Sequence, residues 1–442
     1  MAETERRRRQ LLRQRQNKQL DAEQCAATAA AARFQRLPPE LLAEIHHRLD
    51  FLSGLAFASV CGLKLETPPW LLLPGPKEYD AKATVLSLAD GESATVRTSD
   101  VALRGHVVIG SSGGWLVTTD DRAALRMANP VTGAHADLPP ISTVPFIQPH
   151  YGGGWFFLDF APFLQMRFGG SPPPPEHRHG QRTPAYTVTA AQMRQLVYRK
   201  VVLSASPHPG SYAAMLIMDR SIGAPAFASA EDAAWRMAPT RGDVEDAIHH
   251  GGRFLSITYT GHVQAWQRNV DTGEFTGDAA VAPRLSYKDK DLRRKYLAVS
   301  TDGRLMVVLK HSRDEENTSR RYRSISMDTR VFFKVQILDH DKGRWEEAAD
   351  IGDAAIFVGV NGSLCLSTTE HQGIMPGCVY FTDDDVGGAC LRNGKSSNFV
   401  SLWDELRDVG VYSLKAGRVE KIDAVGKHLL WPPPAWFTPS FL

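Results

Sequence analysis

The sequence predicts a mainly β protein: a β-propeller-like domain of about six blades, preceded by a short α-helical hairpin. Three observations predict it. Helical periodicity is confined to residues 37 to 61, and beyond Pro68 the chain breaks into fourteen short β-branched or aromatic runs separated by glycine, asparagine or aspartate turns. Several of these runs also share an approximate repeat cadence.

The segment LPPELLAEIHHRL places Leu41, Leu42, Ile45 and Leu49 on one helical face. Pro38 and Pro39 suit its first turn, where a missing N–H costs nothing, and Glu40 sits where the helix dipole favours an anion. His46, His47 and Arg48 place positive charge at the other end. A second apolar segment, LAFASVCGLKL, brings Leu55, Ala58, Val60 and Cys61 within two helical turns. The pair forms a hairpin too small to fold alone.

The strand runs are ATVLSL, HVVIG, GWLVTT, VYRKVVLSA, YAAMLIM, RFLSITYT, HVQAWQ, KYLAVS, RLMVVLK, FFKVQIL, AIFVGV, SLCLST, CVYFT and GVYSL. Turn pairs Ser112-Gly113, Thr260-Gly261, Asp302-Gly303 and Asn361-Gly362 join several of them as hairpins. The phrases GGWLVTTDDRAALRMANPVTG, RFLSITYTGHVQAWQRNVDTG and FFKVQILDHDKGRW share a hairpin followed by a polar unit ending in Thr-Gly or Lys-Gly. Gly261, Gly303 and Gly362 lie 42 and 59 residues apart, close to one four-stranded blade plus an inserted loop. So many short strands need closed radial packing to protect their edges, which favours a propeller over a sandwich. A proline-rich segment (169–184) and a charged one (311–330) interrupt the pattern, the latter carrying the kinase-like spacing Arg321-x-x-Ser324. The aromatic tail PAWFTPSFL is expected to pack back on the domain, because Trp436, Phe437 and Phe441 would otherwise form an apolar patch.

The 442 residues carry 51 Lys plus Arg against 49 Asp plus Glu, a net charge of +2, so no global charge drives binding to nucleic acid or a membrane. Residues 1–20 nevertheless hold a net +5, leaving the rest slightly acidic. Their run Arg6 to Arg9 fits an import signal, a phosphate contact or a plain solvated segment. Five widely spaced cysteines with no C-x-x-C pair, and no long apolar segment, lead us to expect an intracellular protein in a reducing compartment, nuclear or cytoplasmic.

The search for chemistry finds little. GSSGG at 110–114 lacks the spacing and strand-to-helix context of a nucleophile elbow and reads as a hairpin turn. No phosphate-cradling glycine loop occurs. His177 with His179, His249 with His250, His46 with His47, and Asp383 to Asp385 have no zinc or EF-hand spacing, so no metal and no cofactor are expected. Trp115, Trp235, Trp266 and Trp345 fall beside predicted strands, as blade-packing core in preference to a stacking platform.

Residues 37–61 resemble the F-box, the helical module by which substrate receptors attach to the Skp adaptor of a cullin-type ubiquitin ligase; the match runs through Leu37, Pro38, Leu41, Leu42, Ile45, Leu49, Phe57, Val60 and Cys61. The phrases PPWLLLPG, LRMANPVTGAHADLPP, KYLAVSTDGRLMVV, WEEAADIGDAAIFVG, CVYFTDD and WPPPAWFTPSFL resemble the propeller domain of the plant KIB-type F-box proteins. The resemblance implies an arm over 1–35, an F-box-like module over 36–66 and a propeller over 67–442. It further implies a non-enzymatic substrate receptor that binds the adaptor through those nine residues, and through it a cullin ligase, with a protein substrate on the propeller. The F-box pattern usually continues with a tryptophan and a third helix, whereas here Cys61 leads through Gly62-Leu63-Lys64 to Pro68-Pro69. The alternative is a propeller scaffold whose F-box has decayed. An enzyme would require polar groups converging in the central channel.

Overall fold

A computed structural model of the chain describes residues 37–49, 53–54, 57–58 and 61 and, in segments, 68–440; the longest stretches outside the description are 1–36, 74–81, 98–105, 160–184, 313–330 and 387–407. The proline-rich segment, most of the charged one with Ser324, and the Arg6 to Arg9 run therefore lie outside the described residues. The chain divides into two compact units, Met1–Glu66 and Thr67–Leu442.

In the first unit, helix α1 spans Pro39–His47, with Glu40 in its first turn. Pro38 accepts the first turn's hydrogen bonds from Leu41 and Leu42 N–H, so the proline pair opens the helix where no N–H is needed. On its polar side Arg48 donates to Glu44 one turn earlier. Residues 53–54, 57–58 and 61 are helical as well.

Among the described residues of the second unit, the strands form seven sheets, and six of them are blades of a ring. Blade 1 combines Trp70–Leu73, Lys82–Ser87 and Ser93–Arg97 with Ala435–Phe437 from the other end of the chain. Blade 2 is Val107–Ser112, Trp115–Thr119, Leu125–Ala128 and His135–Asp137. Blade 3 is Tyr198–Leu203, Ala213–Met218, Ala226–Ser229 and Arg236–Met237, and blade 4 is Val244–His250, Arg253–Thr258, Val263–Arg268 and Phe275–Gly277. Blade 5 is Leu292–Val299, Leu305–Ser312, Val331–Asp339 and Arg344–Ala348. In blades 2 to 5 the first strand is innermost, and each innermost strand abuts that of the next blade.

Blade 6 breaks the pattern. Its order from the inside is Ser363–Ser367, Ala354–Val358, Cys378–Phe381, Gly410–Ser413 and Arg418–Glu420, with Ala354–Val358 parallel to Cys378–Phe381. The hairpin turn at Asn361-Gly362 lies at the same end of the channel as the blade 2 hairpin turn.

The seventh sheet, Ile147–Pro149, Trp155–Asp159 and Ala185–Thr189, is an insertion between blades 2 and 3, whose innermost strands still meet directly. Its Ile147, Phe156 and Leu158 pack into the core cluster those two blades share.

Each of the fourteen sequence runs becomes a strand, and the described residues hold twenty-eight strands in all. The repeated polar unit is the turn between the third and fourth strands of a blade. In blade 2 Asn129 Oδ1 accepts from Thr132 N and Asn129 O from Gly133 N, and Asn269 makes the same pair with Thr272 and Gly273 in blade 4. In blade 5 Asp339 does the work of the asparagine, accepting from Asp341 and Lys342 N–H. Each is an Asx turn. One expected turn moves by a residue: the blade 2 hairpin turns on Gly113-Gly114, not Ser112-Gly113, because both turn residues need positive φ (51° and 85°) while Ser112 still pairs with Trp115.

The expected tryptophan packing holds for three of four residues. Trp115, Trp235 and Trp266 are buried, and the indole N–H groups of Trp235 and Trp266 donate to Pro139 O and Ser256 Oγ. Trp345, on the outermost strand of blade 5, is half-buried and donates to Pro283 O.

The tail closes the ring. Ala435–Phe437 pairs antiparallel with Trp70–Leu73 in the register Trp70↔Phe437, Leu71↔Trp436, Leu72↔Ala435. Trp436 is 1% exposed, stacks edge-on against Phe357 at 5.1 Å and donates from Nε1 to Val358 O at 2.9 Å. Replacing it with alanine leaves a cavity at the seam and an unpaired carbonyl, and should cost about 3–5 kcal/mol in chemical denaturation. Deleting residues 431–442 should lower the unfolding temperature; an unchanged melting curve would contradict this account of closure.

Candidate protein-interaction surfaces

The nine sequence-matched positions of the helical unit divide by exposure. Leu41 and Leu49 are exposed (52% and 37%), as is Pro38, while Leu37, Ile45 and Phe57 are half-buried. Leu42 and Cys61 are buried, and Val60 lies outside the described residues. Exposed leucines on a short helix and just past its end offer apolar surface of the kind that seats a partner helix.

In the propeller, buried charged residues bridge neighbouring blades, from the innermost strands of blades 3 to 5, the second strand of blade 5 and the segments beside the third and fourth strands of blade 6. Lys200 of blade 3 donates to Asp246 Oδ1 of blade 4 at 2.6 Å, and Asp246 Oδ2 accepts from Leu297 N of blade 5 at 2.8 Å. The neighbouring Glu245 takes both the N–H and the ammonium of Lys295, at 3.0 and 2.6 Å. From blade 5, Lys310 reaches Asp384 at 3.2 Å and Asp408 at 2.6 Å in blade 6, and Tyr296 hydroxyl also donates to Asp384. Arg294 donates to Asp384 O at 2.5 Å. These ten groups stitch blades 3 to 6 in order, and every one of them is buried.

Burial pulls the Lys200 ammonium below its usual value, with Asp246 opposing, and pushes the Glu245 carboxyl up, with Lys295 opposing. Blades 6, 1 and 2 are joined without charge. Asn361 donates to Ser111 Oγ at 2.9 Å and to Trp436 O at 2.7 Å, and its Oδ1 accepts from Trp436 N at 3.1 Å.

At one end of the channel the innermost strands leave a cavity of about 360 Å³. Its walls include Val202 and Leu203 of blade 3, Ile248 of blade 4, Leu364 of blade 6 and Phe437 of blade 1, and its polar lining includes Ser111, His249, Asn361 and Ser363. His249 is not in a loop: with His250 it ends the innermost strand of blade 4. Its Nδ1 accepts from Ala205 N at 3.1 Å, and burial lowers its pKa, so it is neutral at pH 7. Glycines 113 and 114 form one rim, where a Cβ on Gly114 would collide with Ser440 at 2.5 Å.

Sequence reasoning passed over this arrangement. VEDAIHH does not read as a strand because its acids turn to lysines of the neighbouring blades, and Asp383 to Asp385 read only as a run without metal-ligand spacing. The visible signal was lysine and arginine inside apolar runs, as in YRKVVL and LRRKYLAV, since an unpaired charge cannot sit in a buried strand. Among the described residues no group of three or more His, Cys, Asp or Glu side chains could hold a metal ion, and His177, His179 and Asp385 lie outside the description.

The model of the KIB1-4 beta-propeller matches residues 85–413, from the Lys82–Ser87 strand of blade 1 to the Gly410–Ser413 strand of blade 6. The chain belongs to the KIB1-4 beta-propeller family. Within this family's reach, the chain is similar to the F-box protein At2g17036 of Arabidopsis thaliana, 29% identical over 203 residues, 44% of this chain and 45% of that protein. It is also similar to the putative F-box protein At3g25750 of the same plant, 25% identical over 144 residues, 33% of this chain and 36% of that protein. The chain thus matches less than half the length of either relative. Among solved structures, apo AztD of Citrobacter koseri aligns with 84% of this chain and 99% of its own, at 11% identity and a TM-score of 0.28.

Two outcomes test this KIB1-4 propeller's charge belt. Asp246→Ala strands the buried Lys200 ammonium and should destabilise by about 3–5 kcal/mol, whereas the double replacement Lys200→Met with Asp246→Leu should cost far less, measured by urea denaturation. His311 is fully buried, stacks on Phe332 at 4.3 Å, and burial with nearby Lys334 lowers its pKa to about 4. The unfolded chain then binds the extra proton between about pH 6.5 and 4, so stability falls on acidification through that window. The loss attributable to His311 is about 3 kcal/mol, and His311→Gln should flatten that part of the pH–stability curve.

Proposed function

We propose that the chain is a substrate-recognition subunit of an SCF-type ubiquitin ligase. The helical module binds a Skp-type adaptor, and through it a cullin, while the propeller binds a protein substrate. The observation that carries this reading is the exposed Leu41 on α1 and Leu49 just beyond its end, inside a segment that matches the F-box pattern. The F-box names of both Arabidopsis relatives support it. The receptor needs no catalytic residue: it raises the local concentration of substrate lysines near the ubiquitin-loaded enzyme. It acts in the nucleus or cytoplasm, where the ligase's other parts reside.

A second reading rests on one observation, that Cys61 is followed by Gly62-Leu63-Lys64 in place of the usual tryptophan and third helix. Loss of a buried aromatic anchor removes about 2 kcal/mol or more from an interface. The chain would then be a propeller scaffold outside any ligase.

Co-expression with a Skp adaptor and size-exclusion chromatography separates the two. The receptor reading expects a one-to-one complex that Leu41→Asp weakens at least about tenfold, with the propeller's unfolding temperature unchanged. A folded chain that ignores the adaptor supports the scaffold.

A further inference from the structure

The cavity at the channel mouth is not consumed by the contacts that hold the ring together. Its volume, about 360 Å³, is at the lower end of built ligand sites. What it offers a guest is narrowly defined by charge. Lys200 is the one ammonium in the lining, and its Nζ is held by Asp246 Oδ1 at 2.6 Å. Asp246 in turn has its second oxygen filled by Leu297 N. An acidic or phosphorylated guest would therefore have to break a buried ion pair to find a cation, and a basic guest would find no open carboxylate in the lining.

The remaining surface is apolar wall and neutral hydrogen-bonding groups. Asn361 and Ser111 spend their polar atoms on each other and on Trp436, holding the rim. Ser363 is in the lining too, but its Oγ is fully buried and lies out of a guest's reach. Around it Val202, Leu203, Ile248, Leu364 and Phe437 provide walls that gain only from apolar contact.

From this geometry we infer that the channel mouth is the substrate pocket of the propeller, and that it takes an uncharged, apolar side chain of a partner protein. The inference rests on the substrate-receptor reading and deepens it: the recognised motif is apolar and unmodified, not phosphorylated or acidic.

The test pans a phage-displayed random heptapeptide library against the full chain, then measures synthetic copies of enriched peptides by fluorescence anisotropy. Enriched peptides should share an apolar anchor, and a phosphoserine or glutamate at that anchor should reduce affinity at least about tenfold. Two variants locate the binding. Thr438→Trp, at an exposed rim position, obstructs the mouth without touching the core, and Leu364→Asp places a carboxylate in the wall. Each should weaken the peptides at least about tenfold, Thr438→Trp with an unchanged melting temperature and Leu364→Asp, whose leucine also packs on the core of blades 1 and 6, with a lowered one. Failure to enrich any peptide, an acidic or phosphomimetic consensus, or binding that both folded variants leave intact would overturn the inference. Adaptor binding is measured on the same proteins: a chain that binds peptides in the pocket yet ignores the adaptor sinks the receptor reading and leaves the pocket standing.

Discussion

A ring of sheets has one seam, and everything else in this propeller depends on how that seam is shut. Strand edges left open at the first and last blades would expose rows of unpaired N–H and C=O groups. Here Ala435–Phe437, near the end of the chain, pairs with Trp70–Leu73 near the start of the domain, so blade 1 is built from both ends. Closing a loop of that length is entropically costly, and the cost is offset by burial concentrated on one side chain, Trp436. Asn361 makes the closure specific, because its amide bonds both the N–H and the C=O of Trp436.

Two kinds of joint hold the ring, and they fall on opposite arcs. Blades 3 to 6 are stitched by buried ion pairs, blades 6, 1 and 2 by an amide and an indole. Buried pairs give little net stability, since desolvation cancels much of the attraction, yet removing one partner is severe. They therefore act as register marks between neighbouring blades: a blade displaced from its position leaves a charge without its counterion. The uncharged arc carries the seam and half the rim of the cavity, including Asn361 and Phe437. The structure that closes the ring thus also shapes its mouth.

The inverted strand order of blade 6 has the same consequence. Ser363–Ser367 starts where the innermost strands of blades 2 to 4 end, so its turn at Asn361-Gly362 joins the blade 2 turn at Gly113-Gly114 on the cavity.

Much of this architecture was legible in the chain itself. Strands that carry a β-branched or aromatic run were legible wherever they fall in a blade, so all fourteen runs became strands, as the units ending in glycine became Asx turns. The outermost strands, such as His135–Asp137 and Arg418–Glu420, are short and face solvent, so they carry no apolar signal. The innermost VEDAIHH was missed because its acids are matched by Lys200 and Lys295 of the adjacent blades, partners that meet it only in the assembled ring. Sequence by itself determined the β class, the repeat, the F-box-like helix and the need to bury the aromatic tail, since each depends on local periodicity or composition. Tertiary structure alone decided that the tail is a strand of blade 1, that Lys200 meets Asp246 across 46 residues, and that five blades converge on one neutral cavity. Those contacts join residues whose separation along the chain carries no signal, and only closure of the ring brings them together.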